Sequence, residues 1–385
     1  MLYDKLKEYG ASGVYPMHMP GHKRNAAHMP GGMPCDIDIT EIHGFDDLYD
    51  PRGVLRDTAE LAAGVYGSDK AFLLVNGSSV GILSAIGAHT KRGDKILIAR
   101  NCHRSVCNAA ELFGLEPVFV KPETDGQSGV LRSVEPGSIE SALDEDPLIT
   151  LVVVTSPSYE GVVSDIRSIA GIVHEHDIPL LVDSAHGAHL GFSPYFPDSA
   201  AGSGADIVVI SLHKTLPALT QCSLLHACGD RADVDEIARL LSTLQTSSPS
   251  YVLMASIDSC LRLIKSDNAG LFREYEKNLR RFDEDIRSIR NLSVLCHGAS
   301  PPSHGFFGFD PGKLVIVTRG TPLSGTMLAD VLREEHRIEL ELACGDYAIA
   351  MTSLCDTAEG FARLADALCA IDRSLKSVAI LHDRN

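Results

Sequence analysis

The 385-residue chain is 44% hydrophobic and 22% charged, with a formal net charge of −17 at pH 7, and such acidity argues against nucleic acid as its main partner. Its ten cysteines form no CxxC pair or regular framework, which points away from disulfides and structural zinc and toward a reducing compartment. No apolar run approaches the roughly 20 residues that span a bilayer, and no signal-peptide pattern opens the chain, so a cytoplasmic protein without a membrane partner is expected.

A short helix begins the chain, and residues 11–50, rich in Gly, Pro, Met and His, read as an irregular arm. "VLRDTAELAAGVYG" then carries Val54, Leu55, Thr58, Leu61, Ala62 and Val65 at helical spacing. A rhythm follows. "KAFLLV" reads as a strand and leads into a turn and helix, "NGSSVGILSAIGAHTKRG". "KILIA" precedes "RNCHRSVCNAAELFG", and "EPVFV" is a short strand. "LITLVVVT" precedes "SPSYEGVVSDIRSIAGIVHEHD". "PLLVD" ends in "SAHGAH", and "DIVVIS" ends in "LHKT". Near-continuous apolar runs alternating with helices predict an α/β fold whose mostly parallel sheet is buried on both faces.

From about residue 266 the pattern changes. "YEKNLRRFDEDIRSIR" places Tyr275, Leu279, Phe282, Ile286 and Ile289 on one face of a long helix. "KLVIVTR", "TMLADVLREEH", "IELEL", "YAIAMTS" and a last helix, "TAEGFARLADALCAID", complete a smaller α+β region. The expected organisation is an arm over 1–50, a large domain over 51–265 and a small domain over 266–385.

In open parallel sheets ligands bind beyond the carboxyl ends of the strands. Five of those ends carry polar clusters here: Asn76-Gly77-Ser78-Ser79, Asn101-Cys102-His103, Ser156 to Glu160, Asp183 with His186, and Ser211 with His213 and Lys214. "NGSSVG" joins a strand to a helix, where backbone N–H groups and two hydroxyls make a phosphate cradle. A plain capped turn is the simpler account of that stretch alone, and it lacks the P-loop lysine and the dinucleotide spacing. A carboxylate at Asp183 suits a metal ligand, a base, or the holder of a protonated heterocyclic nitrogen. Lys214 emerges from an apolar strand, and desolvation lowers the pKa of such an amine and makes it a usable nucleophile. An amine, an acid and a phosphate cup are together the parts of a pyridoxal 5'-phosphate site. In that arrangement Ser211 and His213 add phosphate donors, His103 stacks on the ring, and small Ala185 lets the other ring face pack closely.

These motifs resemble the Orn/Lys/Arg decarboxylase family of fold-type I pyridoxal-phosphate enzymes. "SLHKTLPALTQ" is similar to its cofactor-attachment motif, and "PMHMPGHK" and "DITEIHGFDDLYDPRGVL" to its N-terminal signature. "NGSSVGI", "NCHRSV", "SPSYEGVVSDI", "DSAHGAH" and "TSSPSYVLMASID" follow in the family's order. The resemblance implies a fold-type I transferase-like large domain with a smaller α+β domain. It implies pyridoxal 5'-phosphate attached to Lys214, Asp183 at the pyridine nitrogen, Gly77, Ser78, Ser79, Ser211 and His213 at the phosphate, and Ala185 and His186 beside the ring. It also implies a homodimer with shared active sites, in which Thr246 or Ser247 reaches the neighbour's phosphate. The implied reaction is decarboxylation of lysine, arginine or ornithine to a diamine or agmatine.

Two departures stand out. Ser184 occupies a position usually acidic in the family, and the match lacks the wing domain and larger C-terminal domain of the inducible bacterial members, so a short form without their higher assembly is expected. The alternatives are another fold-type I reaction (transamination, carbon–sulfur lysis or aldol cleavage) and, more remotely, a non-catalytic or metal-binding protein. No arginine clamp for a second carboxylate is evident. Arg319 is the candidate for a substrate α-carboxylate, with a surface arginine as the plain alternative. Glu341 is the candidate for a substrate's distal cation, with an exposed strand residue as its alternative. The pairs His18/His22 and His186/His189 lack the helical HExxH setting and added cysteines of a zinc site, so no metal is expected.

Overall fold

The computed structural model describes residues 1–25, 31–298 and 305–382, with side chains to Leu375. Helix α1 (Leu2–Ala11) leads through irregular backbone to α2 (Val54–Tyr66). The apolar runs then form β1 (Lys70–Leu74), β2 (Lys95–Ala99), β3 (Glu116–Val120) and β4 (Ile149–Thr155), separated by α3 (Gly77–Ala88), α4 (Arg104–Phe113) and α5 (Pro136–Glu145). A two-residue β5 (Val162–Val163) precedes α6 (Ile166–Glu175), β6 (Leu180–Asp183), β7 (Ile207–Ser211), the one-turn α7 (Leu212–Thr215) and β8 (Ser223–Ala227). Seven of these strands make one sheet in the order β1-β8-β7-β6-β4-β2-β3. β7, β6, β4, β2 and β3 run parallel, and β8 lies antiparallel between β7 and β1.

The two-residue period of a strand explains why these runs are apolar throughout. Ile96, Ile98, Leu151, Val153, Leu181 and Val209 enter one buried cluster. Their neighbours Leu97, Val152, Val154, Leu180, Val182 and Val208 enter another on the opposite face. Helix α3 lies against the first face. A Cβ on its Gly81 would stand 2.7 Å from Leu74 Cδ1 and 3.0 Å from Val209 Cγ1, so glycine is what allows the helix to lie so near the sheet.

Helices α8 (Val234–Leu244) and α9 (Tyr251–Asp285) follow. The Ser250 hydroxyl caps α9 by accepting from the Leu253 N–H at 3.4 Å. The long helix expected through Tyr275, Leu279 and Phe282 is the later part of α9, whose helical backbone breaks at Asp267 (φ −147°, ψ 36°). Fully buried Asp258 in α9 accepts from the Leu2 N–H at 2.9 Å, the Thr58 hydroxyl at 3.2 Å and Arg262 Nε at 2.9 Å, and so ties α1 and α2 to α9.

The remaining elements are β9 (Ser293–Val294), β10 (Gly308–Phe309), β11 (Lys313–Val317), α10 (Gly325–His336), β12 (Leu342–Ala343), β13 (Tyr347–Met351) and α11 (Ala358–His382). An antiparallel sheet of order β12-β13-β11-β9 forms the smaller layer. β10 pairs instead with β5, which joins the approach to β11 to the loop after β4. In place of a strand over "IELEL", β12 comprises Leu342 and Ala343, opposite Ile349 and Ala348 of β13.

Candidate active site

The carboxyl edge of the large sheet gathers polar side chains by register. Thr155 and Asp183 are partners across β4 and β6. Ser211 is opposite Ser223, which is opposite Leu74 just ahead of Asn76. Lys214 follows within α7, and its Nζ is 3.0 Å from His186 Nε2. Burial lowers the pKa of this amine, while Asp183 and Glu341 pull it upward. Asp183 is 3% exposed. Burial raises its carboxyl above the ordinary value, against the Ala185 N–H at 3.1 Å on Oδ1 and the nearby Lys214 and His103, which favour the charged form.

His103 is the N-cap of α4. Its Nδ1 accepts from the Ser105 N–H at 3.2 Å, so a neutral ring carries its proton on Nε2. Burial lowers its pKa, and Asp183 opposes that shift. Lys214, Asp183 and His103 therefore share one electrostatic environment.

The N-terminus of α3 follows β1, two strands from β7 in the sheet order. Asn76 makes no side-chain cap there; its Oδ1 accepts from the Thr246 N–H at 3.1 Å. Gly77 has φ +76°, which glycine tolerates without strain, and Ser78 and Ser79 follow in the first turn. Helix-starting N–H groups have no partner within the helix. Thr246 thus lies at the α3 N-terminus of its own chain, its carbonyl accepting from the Tyr49 hydroxyl, and Ser247 beside it is exposed. Ser211 is fully buried, its hydroxyl 3.4 Å from that of Ser223. His213 Nδ1 lies 3.0 Å from the Cys222 carbonyl, which can only accept. Nε2 of a neutral His213 is then an acceptor, so this ring donates to an anion only as the imidazolium.

Several site groups are not evident from local sequence. Lys313, the first residue of β11, is 1% exposed and its Nζ is 2.8 Å from His186 Nδ1. Burial lowers its pKa to about 8, with Asp310 opposing. The Tyr159 ring lies 4.7 Å from that of His186, centroid to centroid, and its hydroxyl donates to Glu341 Oε1 at 2.5 Å. Glu160 accepts from Tyr347 and Ser158, both at 2.9 Å. Tyr159 and Glu160 stand in the "SPSYEG" cluster, so their place on the edge was readable. Lys313 gives no such signal, because a lysine opening an apolar strand reads as a solvated strand end.

Arg319, two residues past the end of β11, donates from its guanidinium to the Gly126 carbonyl at 2.9 Å. The paired histidines have partners of their own. His189 Nε2 is 3.0 Å from Asp310, His18 bonds Tyr9 at 2.8 Å, and His22 faces Asp38 at 3.3 Å.

A family profile described as Orn/Lys/Arg decarboxylase, major domain, matches residues 1–295. The chain is 33% identical over 390 residues to the arginine decarboxylase of Bacillus subtilis (strain 168), covering 100% of this chain and 79% of that one. It is 43% identical over 356 residues to the B. subtilis protein YaaO, covering 89% and 71% respectively. Its fold superposes on the constitutive lysine decarboxylase of E. coli with a TM-score of 0.81 at 21% identity. That match covers 97% of this chain and 60% of the other, so the chain spans well under two thirds of that structure. The architecture is that of fold-type I pyridoxal-phosphate enzymes, a mostly parallel sheet flanked by helices with a smaller antiparallel sheet.

Proposed function

The chain belongs to the Orn/Lys/Arg decarboxylase family, and on that footing we propose that it is a pyridoxal-phosphate-dependent decarboxylase of a basic amino acid: lysine, arginine or ornithine. The observation that carries this reading is a matched pair. Lys214, an amine held toward its free form by burial, and Asp183, a buried carboxylate, stand at neighbouring strand ends, and among the described residues neither is in an ion pair. A solvated lysine and a structural aspartate would pair with each other or with something else. Two such groups left apart suit a molecule that needs both.

The residues present fit the cofactor. Its aldehyde calls for an amine, its ring nitrogen for an acid, and its phosphate for a helix N-terminus free of a side-chain cap, as α3 has. Pyridoxal 5'-phosphate, when bound, supplies the electron sink that lets the bond to the α-carboxylate break. Lys214 would hold it covalently, and Asp183, as the carboxylate, would keep its ring nitrogen protonated. Gly77, Ser78 and Ser79 would receive the phosphate, with Ser211 and His213 behind them. His103 would stack on the ring, and small Ala185 would leave room beside it. The protein's own contribution is orientation and a low-dielectric setting.

The basic side chain of the substrate meets Glu341, which Tyr159 holds in place through its hydroxyl. We further propose a homodimer as the minimal active unit, with Thr246 or Ser247 donating across the interface, in a cytoplasmic setting. Among the described residues no helix is long and apolar enough to cross a membrane. Incubation with lysine, arginine and ornithine should release CO2 and cadaverine, agmatine or putrescine. Keto acids or sulfur-cleavage products alone, across a broad amino-acid panel, would transfer the chain to another fold-type I reaction.

A further inference from the structure

Helix α4 opens with a pair of thiols. His103 is its N-cap, accepting from the Ser105 N–H. Cys102 is therefore the residue before the cap, and Cys107 is the fourth residue of the helix. These are the two positions whose side chains meet across a helix start, where an apolar pair commonly fixes the angle of entry. Here the sulfurs of Cys102 and Cys107 meet at 3.8 Å. Among the described residues, no other two of the ten free cysteines are in hydrogen-bond contact.

The plain account is an ordinary staple, since a thiol packs like a small hydrophobe. Exposure argues against it. Cys107 is exposed and lines a surface cleft with Ile98, Ala110, Glu111, Leu115 and Phe119, so its contact with Cys102 buries little apolar area and contributes little as packing. What the contact does provide is a reachable thiol with a second thiol directly behind it. Cys102 is partly covered, and burial, with Cys107 beside it, holds its thiol toward the protonated form. Bonded sulfurs stand about 2.0 Å apart, so closure asks for an approach of roughly 1.8 Å. Cys102 lies in irregular backbone between β2 and α4, where rotation of both side chains and a small shift of the chain can supply it.

We propose that Cys102 and Cys107 form a modification site: they close to a disulfide by exchange with a low-molecular-weight disulfide and reopen when its thiol form dominates. Cys107, as the thiolate, attacks one sulfur of the small disulfide. That S–S bond breaks, and the departing thiolate takes up the proton that Cys107 gave up. Cys102 then loses its proton and attacks Cys107 Sγ in the mixed disulfide, and the second small thiol leaves with that proton. Two protein thiols are oxidised, and one small disulfide is reduced to two thiols. A reversible bond of this kind suits a reducing compartment, where permanent disulfides are rare. It would turn the contact across the start of α4 into a covalent one, immediately around the His103 cap. Its bearing on catalysis rests on reading His103 as part of the cofactor site, whereas the exchange itself does not.

The full-length chain is equilibrated with glutathione mixtures from fully reduced to fully oxidised, quenched by alkylation and digested without reduction. Trypsin cleaves after Arg104, between the two cysteines, so a Cys102–Cys107 bond appears as two peptides that travel together until a reductant is added. Most of the chain should carry that link at the oxidised end and almost none at the reduced end, with the intact mass lower by two hydrogens. Cys102→Ser should stop at a glutathione adduct on Cys107, and Cys107→Ser should lose both the link and the adduct. Three results overturn the proposal: both thiols fully alkylated after exposure to oxidised glutathione, an adduct on Cys107 that persists in the wild type, or a Cys107 linked to a second copy of the chain. A linked pair in a chain that decarboxylates no basic amino acid removes the functional reading and leaves this inference standing.

Discussion

Asp183→Asn separates chemistry from folding. The amide keeps the shape of the side chain, and its carbonyl oxygen can still accept from the Ala185 N–H that now meets Oδ1 at 3.1 Å. It loses the negative charge that stabilises a protonated ring nitrogen. A hydrogen bond to a charged group contributes about 1.5–3 kcal/mol, and about 1.4 kcal/mol is tenfold in rate, so turnover should fall about tenfold to 150-fold. Stability should move the other way. The Asp183 carboxyl is raised by burial above its ordinary 3.8, so the folded chain binds that proton more tightly than the unfolded chain. As pH rises above about 4, this group takes stability away from the cofactor-free protein. The Asn variant has no such group and should melt at or above the wild-type temperature at neutral pH, with a flatter dependence on pH above 4. The assay is product release by the cofactor-loaded variant, paired with melts of the cofactor-free protein across that pH range. Turnover near wild type, with the variant folded, would refute the role of Asp183.

Borohydride reduction of the cofactor-loaded protein should place the pyridoxyl label on Lys214, and peptide mapping that finds it on another lysine refutes the attachment. Glu341→Gln should raise KM for the basic substrate about tenfold with little change in kcat, as expected for binding energy shared by ground and transition states; an equal effect on a neutral amino acid would remove Glu341 from the specificity role. Asp258→Ala strands the Leu2 N–H and leaves Arg262 without its carboxylate and should cost about 2–4 kcal/mol, read as a lower denaturation midpoint with catalysis per folded molecule unchanged. Mixing Lys214→Ala subunits with subunits altered at Thr246 and Ser247 should regenerate one competent site per hybrid dimer. No recovery in verified hybrids would mean that each chain supplies these donors to its own site, as the Thr246–Asn76 contact permits.

The large sheet was legible because it is buried on both faces. Runs such as "LVVVT" and "IVVIS" admit no alternation, and every parallel strand delivers its carboxyl end to one edge, so Asp183, His103 and Lys214 could be grouped before any coordinates. Strand β8 escaped notice. Its "SLLHA" is short and carries His226, which burial keeps uncharged with a pKa of about 3, and a histidine in a strand interior reads as a loop residue. Lys313 marks the deeper limit. It opens an apolar run, and local pattern cannot tell that this end is buried beside His186. That placement follows from the pairing of β10 with β5 and of β11 with β13, contacts between residues thirty or more positions apart. Register across two sheets is a non-local property.

The double-sided burial of the central strands also sets where this enzyme can change. A residue in β4, β6 or β7 has neighbours packed above and below, so a larger side chain strains one layer and a smaller one opens a void in the other, at about 1–3 kcal/mol either way. A mutant library spread evenly over the chain would lose most of its β-strand members to unfolding before substrate preference was ever sampled. Randomising Tyr159, Glu160 and Glu341 confines variation to loop positions that no sheet layer depends on, and it is there that a search for altered amino-acid preference would meet the fewest casualties.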